Sequence, residues 1–273
     1  RFQTPALWHS SSLTAVPAAS SVMSLALDHT MLRVEDLDES LAFYQDHFGY
    51  EEVGRWEADT FTNVFLQAPG AHETGAALEL TYNHDGRTYE LGDAWGHIAV
   101  RVADVYDAYE ELLAGGVEDY RDPDSCGGSY AFVRDPDGHE IELVEREYGA
   151  RFSLDHTMVR VENAEEAIGW YARKLDYTLV RRSEHDSFAL YFMKPSDAPP
   201  EAMTVELTYN YDGRTYDLGD AWGHLAVRAS DLQAFWETLR ERGAADYRDP
   251  ESCGNRYAFT KDTEGREIEI VRR

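Results

Sequence analysis

Short segments in which apolar and polar residues alternate are interspersed with longer ones that repeat every three to four positions. LDHTMLRV, residues 27 to 34, alternates and predicts a strand. Asp36 or Asp38 then caps an amphipathic helix with Leu37, Leu41, Tyr44 and Phe48 on one face, ended by Gly49. Strands are expected near 50–57, 61–67 and 76–83. A second series follows: the strand WGHIAVRV, the helix DVYDAYEELLAG ending at Gly115, and strands near 117–121, 129–134 and 139–145. The DPDG turn at 135–138 separates the last two. The order is β-α-β-β-β, twice.

The whole series then repeats. A shift of 127 residues lays Leu27-Asp28-His29-Thr30-Met31 on Leu154-Asp155-His156-Thr157-Met158, and Glu140-Ile141-Glu142 on Glu267-Ile268-Glu269. Residues 79–101, ELTYNHDGRTYELGDAWGHIAVR, return at 206–228 with 20 of 23 positions identical. The chain therefore divides into an extension, 1–24, and two halves, 25–148 and 152–273. The link EREYGARFS is too short for the halves to tumble independently. The predicted fold class is α+β, with four βαβββ modules.

Side chains on a strand alternate between faces, so His29, Met31 and Arg33 share one face. Glu79 shares a face with Ala77 and Thr81, His97 with Ala99 and Arg101, and Glu140 with Glu142. Each of these strands has an apolar face opposite. Charges at the middle of a strand are costly unless they are paired or coordinated. Of ten histidines, only His29/His156 and His97/His224 recur under the shift. Two His and two Glu per half make a divalent-metal set that leaves room for water or substrate. Spacing does not choose between Glu140/Glu267 and Glu142/Glu269.

Composition narrows the partners. The formal charge is -27, and the acids are spread among apolar residues, which suits a folded domain with an acidic surface. Only Lys174, Lys194 and Lys261 are lysines, a balance expected of a protein from a high-salt cytoplasm. No basic patch is available for nucleic acid or anionic membrane. No run of 18 apolar residues is present, so no spanning helix is expected. Residues 1–22 are rich in Ser, Ala and Pro and are broken by Pro17, which predicts disorder rather than a signal peptide. Cys126 and Cys253 occupy equivalent places and make no disulfide framework, so a reduced, cytoplasmic location is expected.

HTMLRV, ELTYN, YELGDAWGHIAV and DPDGHEIELVE, with HTMVRV, ELTYN, YDLGDAWGHLAV and DTEGREIEIV, together resemble the glyoxalase I family of the vicinal oxygen chelate superfamily over residues 27–273. The resemblance implies one ligand per strand: His29, Glu79, His97 and Glu142, then His156, Glu206, His224 and Glu269. It selects Glu142 over Glu140. It also implies sites shared between modules, so that His29 and Glu79 join His224 and Glu269, and His156 and Glu206 join His97 and Glu142. Two ions per chain are then expected, Ni²⁺ or Co²⁺ by likeness to short bacterial forms, with Zn²⁺ accepted by the donors. One chain would do the work of a dimer, as a monomer.

The family acts on the hemithioacetal of methylglyoxal and a thiol. The resemblance implies that Glu142 or Glu269 moves a proton between adjacent carbons while the metal's charge stabilises an enediolate, giving a lactoyl thioester. The same resemblance implies that Glu79 and Glu206 handle protons on the opposite face. Arg33, Asn83, Arg160 and Asn210 are implied contacts for a γ-glutamyl group. Some relatives hold the thiol's second carboxylate with a lysine before the strand YAF; here Gly-Gly-Ser and Gly-Asn-Arg stand there, which favours γ-glutamylcysteine beside glutathione. The alternatives are an extradiol dioxygenase, which needs only two His and one carboxylate, and a non-catalytic sequestering protein, which needs no proton-shuttling carboxylate.

Overall fold

A computed structural model describes residues 25–71 and 75–272. The expected disordered extension, 1–24, lies outside them. The first half forms β1 (Leu25–Val34), α1 (Leu37–Phe48), β2 (Glu51–Glu57), β3 (Phe61–Gln67), β4 (Ala77–Asn83), β5 (Trp95–Val102), α2 (Val105–Ala114), β6 (Tyr130–Arg134) and β7 (Glu140–Glu145). The second half forms β8 (Leu154–Arg160), α3 (Ala164–Leu175), β9 (Tyr177–Glu184), β10 (Phe188–Pro195), β11 (Thr204–Asn210), β12 (Trp222–Ala229), α4 (Leu232–Glu241), β13 (Tyr257–Lys261) and β14 (Glu267–Arg272).

Each helix begins where a short polar side chain accepts a hydrogen bond from the first turn. Asp36, not Asp38, caps α1, accepting from the Glu39 amide at 3.0 Å; Asp104, Asn163 and Asp231 do the same for α2, α3 and α4. Tyr44 and Phe48 bury the inner face of α1 against Leu78 and Leu80, which are fully buried on the outer face of β4. Burying side chains of this size contributes about 1.5–3 kcal/mol each.

One expected strand is reduced to a remnant. Residues 117–121 make only an isolated bridge, Arg121 to Phe132, and the second half repeats it as Arg248 to Phe259. The chain leaves α2 with the Val117 amide still bonded to the Leu112 carbonyl. The Tyr120 amide then donates to the Tyr109 hydroxyl at 3.2 Å, and Pro123, which has no amide hydrogen, follows two residues after Arg121. Little backbone is left to run a ladder.

The sheets cross the repeat. One has the order β13-β14-β12-β1-β4-β3-β2, the other β6-β7-β5-β8-β11-β10-β9. Each seven-stranded sheet thus joins a four-stranded module of one half to a three-stranded module of the other. The joints are the antiparallel pairs β1–β12 and β5–β8, and in each the register shifts twice. The stretch 79–101 therefore sends Glu79 into one sheet and His97 into the other. Each sheet is curved, with its helices outside. In the first, Trp56 on edge strand β2 meets Tyr257 on the opposite edge strand β13, ring centroids 6.4 Å apart.

The loops before β5 and β12 meet back to back. Gly92 and Gly219 both have positive φ, and a Cβ added to Gly92 would lie 2.5 Å from the Gly219 amide nitrogen. The Asp93 and Ala94 amides both donate to the Asp217 carbonyl, and those of Asp220 and Ala221 to Glu90. Only glycine permits that approach.

Candidate metal centres

The concave face of each sheet holds one group of buried donors. In the first, His29 comes from β1, Glu79 from β4, His224 from β12 and Glu269 from β14, and none is more than 8% exposed. Their ligand atoms all lie within 4.8 Å of one another. His29 Nε2 is 2.8 Å from Glu79 Oε2, 3.0 Å from Glu269 Oε2 and 3.0 Å from His224 Nε2. His224 Nε2 is 3.2 Å from Glu269 and 3.4 Å from Glu79.

The second group takes His156 from β8, Glu206 from β11, His97 from β5 and Glu142 from β7. His97 and His156 face each other at 3.2 Å, with Glu206 3.1 Å and Glu142 3.0 Å from His156. Its gathering is looser: the tight set is His97, His156 and Glu206, and Glu142 joins it through His156 and, at 3.4 Å, His97. Glu140 and Glu267 lie outside both groups. Glu140 pairs with Arg121 at 2.7 Å and accepts from Tyr120, and Glu267 pairs with Arg248.

Supporting residues that the sequence reading passed over hold these donors in place. Asp28 Oδ1 lies 3.1 Å from His29 Nδ1, and Asp155 Oδ2 lies 2.9 Å from His156 Nδ1. Each aspartate fixes the ring so that Nε2 points into the group. Arg228 pairs with Asp28 at 2.6 Å, and Arg101 and Arg146 with Asp155 at 3.0 and 2.8 Å. Asn63 and Thr81 donate to Glu79, and Thr208 donates to Glu206 at 2.8 Å. Phe65 and Phe192 pack edge-on against His29 and His156. The one signal for the aspartates was the Asp-His pair standing in both copies.

Burial alone would push a proton off His29. The charge of Glu79 and hydrogen bonds to Asp28, Glu269 and Glu79 outweigh it and hold the imidazole well above its ordinary range. Burial likewise opposes ionisation of Glu79, but His29 and His224 hold it well below the usual carboxylate range. Two imidazoles and two carboxylates, buried and converging, fit a divalent cation that retains open positions.

Arg33 and Asn83 stand at the C-terminal ends of the parallel neighbours β1 and β4, and Arg160 and Asn210 at those of β8 and β11. All four are half-buried. The Arg33 guanidinium donates to the Asp220 carbonyl at 2.5 Å and Arg160 to that of Asp93 at 2.7 Å; Asn83 and Asn210 donate to Tyr89 and Tyr216. They lie outside both donor groups, one turn of the pleat beyond Met31 and Thr81 in the first sheet.

The fold and the paired donor sets define the class. The chain belongs to the glyoxalase/bleomycin resistance protein/dioxygenase superfamily, whose model matches residues 26–143 and again 153–270. Within it, the chain is 32% identical to a lactoylglutathione lyase of Arabidopsis thaliana over 78% of its own length and 76% of the relative's. The crystal structure of glyoxalase I from Zea mays superposes with a TM-score of 0.80 at 29% identity, covering 92% of this chain and 93% of that one. A lactoylglutathione lyase of Neisseria meningitidis serogroup B is 41% identical and is 94% covered by only 46% of this chain, so one half corresponds to a whole shorter enzyme.

Proposed function

We propose that the chain is a glyoxalase I-type lyase with two metal sites, isomerising the hemithioacetal of methylglyoxal and a thiol to a lactoyl thioester. The observation that carries this is the pair of buried His₂Glu₂ groups, each assembled across the repeat, in a chain whose relatives along most of its length are lactoylglutathione lyases. His29, Glu79, His224 and Glu269 hold one ion, and His97, Glu142, His156 and Glu206 the other. Ni²⁺ or Co²⁺ is the favoured ion in this reading, and Zn²⁺ is compatible with the same donors. A bound divalent ion supplies the positive charge that an enediolate requires.

The chain's own residues move the proton. Glu142 and Glu269 are the least buried carboxylates of their groups, with side chains 12% and 10% exposed against 6% for Glu206 and 2% for Glu79. Each is therefore the carboxylate of its group nearest solvent, and we assign it to take the proton from the thiol-bearing carbon and return it to the neighbouring carbon. Glu79 and Glu206 face the other side of the substrate. Arg33 with Asn83, and Arg160 with Asn210, grip the γ-glutamyl end of the thiol, from glutathione or γ-glutamylcysteine. A dioxygenase needs only three protein ligands, and the fourth, present in both groups, favours the lyase. A cytoplasmic monomer with an internal pseudo-dimer completes the proposal.

The test is hemithioacetal consumption by metal-reconstituted protein, with Glu142→Gln and Glu269→Gln made singly and together. Each single variant should keep about half the rate and the double should lose at least a hundredfold. If either single substitution abolishes turnover, the two sites are not independent.

A further inference from the structure

The two donor groups are built from equivalent residues, but the walls beside them differ. The shift that carries Phe65 onto Phe192 carries Gly54 onto Arg181, Trp56 onto Ser183 and Gln67 onto Lys194. Beside the first group, Gly54 lies against Phe65 and puts no side chain over it. Gln67 is spent on the Gly75 carbonyl at 2.7 Å. Beside the second, the Arg181 guanidinium lies 3.5 Å over the Phe192 ring. Lys194 is 8% exposed, and its ammonium donates to the Pro199 carbonyl at 2.6 Å.

These residues bound a cavity of about 310 Å³, lined among others by Arg146, Asp155, Arg181, Phe192, Lys194 and Thr204. It adjoins the second group directly, because Asp155 and Phe192 both touch His156. Its charge is unbalanced. Among the described residues Asp155 is the one carboxylate on the wall, and Arg101 and Arg146 already share it. Neither Arg181 nor Lys194 has a carboxylate within ion-pair distance among the described residues. The charge of Glu201 reaches Lys194, and those of Asp155, Glu206 and Glu142 reach Arg181, but none closes to an ion pair. A buried cation balanced only through space is costly. In a chain of net charge -27 it is also unexpected, since acids abound elsewhere.

The position says which part of a substrate reaches it. On β8 and β11, Asp155 and Thr204 are at the N-terminal ends, Arg160 and Asn210 at the C-terminal ends, and His156 and Glu206 between. With the thiol held at the Arg160 end, the cavity faces the other end of the adduct, the side chain of the aldehyde.

We propose that this cavity is an anion subsite, and that the second donor group serves 2-oxoaldehyde adducts whose side chain ends in a carboxylate or phosphate, while the first serves neutral ones. This rests on the lyase function proposed above. Glu269→Gln isolates the second site and Glu142→Gln the first. Each is assayed with the glutathione adducts of methylglyoxal and of 4,5-dioxopentanoate, a 2-oxoaldehyde with a terminal carboxylate. The ratio of kcat/KM, acidic over neutral, should be at least tenfold higher for the second site. Arg181→Gly with Lys194→Gln, which copies the first half, should erase that difference. Equal ratios overturn the proposal. If the parent chain isomerises neither aldehyde as its glutathione adduct nor as its γ-glutamylcysteine adduct, the lyase function falls and the substrate assignment with it. The subsite is then decided separately, by calorimetric titration of the metal-loaded chain with sulfate. One sulfate per chain, weakened at least tenfold in the double variant, supports the subsite; the same heats in both proteins overturn it.

Discussion

His29 Nε2 lies 3.0 Å from His224 Nε2, although 195 residues separate them in the chain. Glu79 and Glu269 close on the same point. Four buried donors with lone pairs aimed at one spot repel each other unless a proton or a cation sits among them. The first prediction follows directly: elemental analysis of native protein should find two divalent ions per chain, and chelation should lower the thermal midpoint. At an ion concentration a hundredfold above Kd, each site stabilises the fold by about 2.7 kcal/mol. One ion per chain after reconstitution would show that the looser group, with Glu142 farther out, does not close.

Asp28 and Asp155 orient the histidines, so they are expected to matter to the metal without touching it. Asp28→Asn should weaken the first site by about 10–100-fold and leave the second unchanged, and Asp155→Asn the reverse. Competition with a chromogenic chelator resolves the two affinities. Asp155→Asn also strips the counter-charge from Arg101 and Arg146, so it should cost more stability than Asp28→Asn. Equal affinities in parent and variants would assign the aspartates a packing role only.

Why some of this was legible in the sequence and some not is itself physical. The duplication separated His29, His97, His156 and His224 from the other histidines, and strand alternation put Glu79 and Glu142 on the face opposite Leu78 and Leu143. Those are local properties. That each site is shared between the halves came from the family resemblance, since strand pairing such as β1 with β12 is non-local and leaves no periodic trace. The Asp-His pairs were in plain view, but adjacent residues on an ideal strand point to opposite faces. The register shift between Leu27 and His29 is what brings Asp28 to the ring. The strand expected at 117–121 shrank to one bridge because the Val117 amide is still bonded to the Leu112 carbonyl and the Tyr120 amide donates to the Tyr109 hydroxyl. The contrast between Gly54 and Arg181 was also in the sequence, but it gains meaning only once Phe65 and Phe192 are seen beside the histidines.

The back-to-back loops offer a test of how the halves are locked. Gly92→Ala would force both a positive φ of 63° and a collision with the Gly219 backbone, and should destabilise by about 2–3 kcal/mol. Gly86 has a similar φ of 68° but open space around it, so Gly86→Ala isolates the cost of the conformation, about 1 kcal/mol. The difference between their denaturant midpoints measures the close approach. Equal midpoints would mean that the loops part without penalty.

The last prediction concerns His139, whose place the second half fills with Arg266. His139 is fully buried, with Nδ1 2.9 Å from Asp135 Oδ2, and Asp135 also accepts from Tyr44 on α1 at 2.9 Å. The cluster thus ties the turn before β7 to the helix of another module. Burial disfavours the imidazolium, but Asp135 and Asp137 outweigh it and raise the pKa above 6.5. The folded state therefore holds this proton more tightly than the unfolded chain. Its stabilisation is fully present below pH 6.5 and is lost as pH rises through the folded-state value, at about 1.4 kcal/mol per unit of displacement. Arg266 makes the equivalent pair with Asp262 at 2.9 Å and also donates to the Arg160 carbonyl. A guanidinium, unlike an imidazole, keeps its charge across the neutral range. His139→Arg should therefore preserve the pair and remove the pH dependence. Unfolding midpoints of metal-loaded protein, read from pH 6 to 9, should fall for the parent and run flatter for the variant. Parallel curves would show that the His139–Asp135 pair is not what titrates.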